Sequence, residues 1–108
     1  MYGLIGKIKA VPGQRDALIS ILIEGAKDMP GCKSYIVAQD QADQDAILVT
    51  EIWEDKASHQ ASLSLASVQK AMKLGKPLIA GFGERFETIP LGGYGWKIIK
   101  GLTDYLSI

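Results

Sequence analysis

The sequence is poor in the residues that staple or metallate a small domain: it holds one cysteine, Cys32, and one histidine, His59. A single cysteine cannot close an intrachain disulfide, and two such residues are too few for a four-ligand zinc site built from Cys and His. Cys32 therefore reads as a small apolar residue at the opening of a strand. An excess of charge is missing too, since twelve basic and twelve acidic side chains cancel. Without a basic run there is no electrostatic footprint of a nucleic-acid binder. The spaced Lys70, Lys73 and Lys76 read instead as the wet face of a helix. No apolar stretch is long enough to span a bilayer. The chain opens directly on a strand pattern, without the charged and apolar regions of a signal peptide. The expected setting is reducing and cytoplasmic, with no nucleic acid and no membrane as partner.

What is present is apolar: 47% of the 108 residues are hydrophobic, enough for one domain with its own core. The run Tyr2–Ala10 alternates as a strand does, and Pro12-Gly13 breaks it. A helix is expected over 14–28, with Asp16, Ser20, Glu24 and Lys27 on one narrow polar stripe and apolar or small residues elsewhere. Met29-Pro30-Gly31 is expected to end it. Cys32–Gln39 reads as a second strand, and the polar stretch 40–45 as a hairpin tip. Ala46–Trp53 is the most continuously apolar run and reads as a central strand covered on both faces. Asp55 is a good N-cap for a short helix over 56–63. A second helical piece is expected over 66–74, with Val68 and Met72 inward. Gly75 and Pro77 interrupt it, leaving 78–80 as a kinked last turn or irregular chain, before a fourth strand over 82–89.

This order, strand-helix-strand-strand-helix-strand, is the ferredoxin-like α+β arrangement, with strands one and three central and the helices on one face. Ile36, Ile47, Leu48, Val49 and Ile52 offer more apolar strand surface than one helical layer can hide. Two copies packing sheet to sheet would cover it, so a homodimer is expected. The domain is expected to occupy residues 1–95, with 96–108 as an amphipathic C-terminal arm whose Ile98, Ile99, Leu102, Tyr105 and Leu106 share one helical face. Ile19 and Ile23 on the first helix are a plausible dock for it.

No phosphate loop, dinucleotide fingerprint, nucleophile elbow or metal-ligand cluster occurs. The residues that could carry chemistry gather where strand three meets the next helix: Glu51, Trp53, Asp55 and His59. In the first turns of a capped helix, His59 is expected to be neutral and able to accept a proton, because the helix dipole disfavours imidazolium there. Trp53 offers an aromatic face and an indole donor. Together they would suit a planar, acidic, phenol-like substrate. The plainer readings are a core anchor for Trp53 and a packed or capping side chain for His59.

Several short motifs carry a resemblance. Glu51-Ile52-Trp53-Glu54-Asp55, His59-Gln60-Ala61-Ser62-Leu63 and Pro77-Leu78-Ile79-Ala80-Gly81-Phe82 stand in an order that resembles the antibiotic-biosynthesis monooxygenase domains. Pro12-Gly13, Met29-Pro30-Gly31-Cys32 and Glu87-Thr88-Ile89-Pro90 extend the likeness over most of residues 1–95. The resemblance implies a dimeric α+β barrel that binds a small aromatic between helices and sheet. It further implies oxidation of a quinol- or phenol-like ring by molecular oxygen, with no metal or flavin cofactor. An ionised aromatic is electron-rich enough to reduce oxygen itself, so the protein need only deprotonate it, hold it and exclude water. On that scheme Trp53 orients the ring and His59 is the base, while Tyr35, Met72, Phe82 and Arg85 line the pocket or stabilise the anion. The chain departs from some aromatic-polyketide members, whose Asn four residues before the Trp is here Val49, and from haem-degrading members, whose first-strand Asn it lacks. Two alternatives remain beside the enzyme: a non-catalytic small-molecule carrier or sensor of the same fold, and a haem-binding or haem-degrading protein.

Overall fold

The computed structural model of the chain describes residues 1–94. The expected arm over 96–108 lies outside the described residues. In chain order the elements are β1 (Tyr2–Ala10), α1 (Arg15–Gly25), β2 (Cys32–Gln39), β3 (Ala46–Trp53), α2 (Lys56–Ser62), α3 (Ala66–Gly75), a single 3-10 turn (Lys76–Leu78) and β4 (Ile79–Thr88). The strands form one antiparallel sheet in the order β2-β3-β1-β4, so β1 and β3 are central, as the ferredoxin-like reading requires.

The register settles which side chains share a face. Gly6 lies opposite Val49, and Ile8 opposite Ile47. Even residues of β1 and odd residues of β3 therefore point the same way. Ile47 and Val49 join Ala10 and Leu18 of α1 in one buried cluster, which identifies this as the helix-covered face. At the other end of the same face Tyr2, Leu4 and Trp53 form a second cluster with Met29 and Cys32 against it. The small-apolar reading of Cys32 agrees with that placement.

Two element boundaries differ from the sequence reading, each for a local reason. α1 ends at Gly25 rather than near 28, and Asp28 follows with a left-handed φ of 51°. At Gly25 α1 packs close against α3: a Cβ there would run into Ala71. β4 starts at Ile79, three residues before the expected position, once the 3-10 turn around Pro77 has redirected the chain. The Asp55 cap is present, its carboxylate accepting from the Ser58 amide at 2.7 Å. No helix among the described residues is long and apolar enough to cross a membrane.

Candidate active site

A cleft of about 330 Å³ opens on the helix-covered face of the sheet. Its floor is Leu4, Gly6 and Ile8 of β1 with Val49 of β3, and its walls are Tyr35, Glu51, Phe82 and Arg85. Gly6 keeps the floor low: a Cβ added there meets nothing within 4 Å. Glu51 stands on β3 opposite Leu4, and Arg85 on β4 opposite Gly6, so the carboxylate and the guanidinium flank β1 from its two sides. Two strand spacings across and two residues along β1 place their backbones about 12 Å apart, room for one ring between them. Larger concavities lie elsewhere. A dish of about 1030 Å³ beside the hairpin is lined almost wholly by polar side chains, including Arg15, Gln39, Asp40 and Gln44. A groove of about 660 Å³ runs between α1 and α3. Neither brings an aromatic wall and a half-buried charge together, which is what a small-molecule site needs.

Glu51 is half-buried. Desolvation pushes its carboxyl above the ordinary glutamate value, against an indole hydrogen bond and the nearby His59 and Arg85, which favour the charged form. The Trp53 indole N–H donates to Glu51 Oε1 at 3.0 Å. Residues two apart on a strand share a face. Behind the carboxylate, Trp53 is 1% exposed, and its ring meets His59 edge-on with centroids 5.4 Å apart. His59 also faces Tyr2 at 5.8 Å. Burial pushes the Tyr35 hydroxyl far above its ordinary value, with the Glu51 charge adding to the effect. On the same face, where Glu87 lies opposite Leu4, the Tyr2 hydroxyl donates to Glu87 Oε2 at 2.7 Å, and Lys56 and Arg85 also pair with Glu87. That hydroxyl and Lys56 hold the Glu87 carboxyl below its usual range.

The structure thus sorts the residues singled out in the sequence. Tyr35, Phe82 and Arg85 line the cleft. Trp53 and His59 sit together one layer behind it, and their link to the cleft is Glu51. The plainer reading of Trp53 as a buried anchor also holds. α2 has only seven residues, with His59 at its centre, one turn after the Asp55 cap and also within the last turn, so the two ends of the helix leave little net dipole at its ring. Met72 is 54% exposed on α3 and is not among the cleft residues. Glu51, at the strand-helix junction, is the cleft residue to which the sequence reading gives no role. Its signal was the two-residue spacing from Trp53, which sends the carboxylate inward.

The comparisons agree with this architecture. The family model of the antibiotic biosynthesis monooxygenases matches residues 1–74. A solved protein from Chloroflexus aurantiacus that bears the same family name is 63% identical, covering 88% of this chain and 97% of its own, with a TM-score of 0.85. A Deinococcus radiodurans protein of the same family name is 20% identical over 88% of this chain and 97% of its own, at a TM-score of 0.71. A Pseudomonas aeruginosa protein is 22% identical over 84% and 94%, at 0.73. At their identity the last two establish the fold alone. No curated protein matches the sequence. On its family-model match and its 63% identity to the Chloroflexus protein, the chain belongs to the antibiotic biosynthesis monooxygenase family.

Proposed function

We propose that the chain oxidises a small quinol- or phenol-like aromatic with molecular oxygen, needing neither metal nor flavin, and that it works as a homodimer. The observation that carries this reading is the cleft itself: a ring-sized hollow over Gly6 with one carboxylate and one guanidinium on opposite sides. Phe82 and Tyr35 offer apolar ring surface, and Arg85 can stabilise a phenolate oxygen. For a hydroquinone the reaction balances without another reductant. The ring gains one oxygen atom and becomes a hydroxyquinone, and the other oxygen atom leaves as water.

The second copy is called for by the opposite face of the sheet. There Ile36, Thr50, Ile5 and Phe86 form one row across all four strands. Ile36 is 56%, Ile5 39% and Phe86 52% exposed, with Leu48 and Ile52 beside them. A contiguous apolar sheet face of this kind marks an association surface.

Oxygen consumption by chelator-treated protein, shown free of flavin by its absorbance, tests the activity. With a panel of hydroquinones and naphthols the expected result is uptake of one oxygen molecule per substrate oxidised, reduced in Trp53→Phe and His59→Ala. Tight binding without turnover of any phenol would make the chain a carrier. A requirement for added metal or flavin would reject the proposed chemistry.

A further inference from the structure

We propose that Glu51, rather than His59, is the group that takes the substrate's proton, because its carboxylate is the one acidic side chain lining the cleft. This rests on the reading of the cleft as an aromatic-binding site. Oε1 of Glu51 is occupied by the Trp53 indole. Oε2 has no hydrogen-bond partner among the described residues, and no buried side-chain oxygen among them is left unpartnered, so Oε2 is accessible on a residue that lines the cleft. His59, by contrast, does not line the cleft, and its ring is engaged with Trp53 and Tyr2.

The surroundings of Glu51 suit the task. Tyr35 and Cys32 face it from β2, Arg85 from β4 and His59 from α2. From β1 it meets apolar Leu4, with Lys7 at the cleft margin. Burial makes the carboxylate a stronger base than an exposed glutamate, and the indole hydrogen bond and the Arg85 charge work against that by favouring its ionised form. The phenolic O–H bond of the substrate breaks, its proton goes to Oε2, and the electron pair stays on the ring oxygen, its negative charge spreading into the ring that Arg85 faces from the far side. The ring then reduces oxygen. Glu51 returns its proton to the oxygen atom that leaves as water, and the hydrogen displaced from the attacked ring carbon supplies the second. Trp53 is a positioning residue in this scheme, holding Oε1 so that Oε2 faces the ligand.

Proton counting on binding 4-nitrophenolate tests the assignment without turnover. At a pH where the ligand is ionised in solution, two anions cannot sit side by side at low cost, so Glu51 must gain a proton. Wild type should take up close to one proton per ligand bound, detected with a pH indicator in weak buffer. Glu51→Gln, whose amide oxygen can still accept the indole N–H, should bind the ligand with no uptake. Its oxygen consumption should fall about 10²–10⁴-fold, the usual worth of a general base. Trp53→Phe removes a bond that favours the charged carboxylate, so the acid limb of its pH-rate profile should move to higher pH. Equal proton uptake in wild type and Glu51→Gln would overturn the assignment, as would uptake lost only in His59→Ala. Uptake without oxygen consumption would leave Glu51 standing and reject the oxidation. Failure of wild type to bind the ligand would reject both.

Discussion

Gly6→Leu is expected to abolish binding of aromatic ligands and the oxygen uptake that depends on it, while the chain stays folded. Gly6 lies on a central strand with its missing side chain directed at the helix-covered face, opposite Val49 and Arg85. Nothing lies within 4 Å of the Cβ it would carry, so a leucine there meets the hollow and not a packed neighbour. Backbone cost is small as well. A glycine inside a strand is itself destabilising by roughly 0.5–1 kcal/mol relative to alanine, and Gly6 does not need a positive φ. Gly3, three residues earlier on the same strand, is the contrasting control: a Cβ there runs into Thr88, so Gly3→Ala should lower the melting temperature instead. Ligand titration and thermal melts on both variants separate the two effects. Full activity in a folded Gly6→Leu protein would remove the cleft from the account.

Phe86→Asp is expected to leave the chain a monomer. Phe86 ends the transverse row Ile36-Thr50-Ile5-Phe86, on the face that α1, α2 and α3 do not cover. Fully burying one such side chain is worth about 1.5–3 kcal/mol, and a two-fold interface buries each one twice. A carboxylate at the same place reverses the sign of that contribution, since a desolvated unpaired charge costs several kcal/mol, again on both subunits. Sedimentation at micromolar concentration should give twice the chain mass for the wild type and the single-chain mass for the variant. Equal masses for the two would mean that this face is not the interface.

How much of this was legible beforehand depended on the kind of signal. Alternation marks β1, the Tyr35-Ile36-Val37 run marks β2, the continuous apolar run marks β3, and the polar turn at 40–45 separates the last two, because such patterns are local to each strand. The helices were less legible where close packing used small residues. α1 stops at Gly25, where the chain packs close against Ala71, and no hydrophobicity pattern announces that. The same packing explains Met72. α3 turns Ala71 and Gly75 toward α1, with Gly75 near Leu18, so the bulkier Met72 is rotated outward. At the site, Tyr35 of β2 comes together with Phe82 and Arg85 of β4 through strand register alone. The roles within it were harder to see. An indole at a strand end looks like a ligand-facing donor until its neighbour two residues away is known to take the hydrogen bond. A histidine on a short helix looks like a base until Trp53 and Tyr2 are found against its ring.

The most direct test is a crystal structure of the protein with 4-nitrophenol bound. The account predicts the ring lying over Gly6, its hydroxyl oxygen within hydrogen-bond reach of Glu51 Oε2 and its far edge toward Arg85. Density for the ligand only in the groove between α1 and α3, or only on the outer face of the sheet, would contradict it.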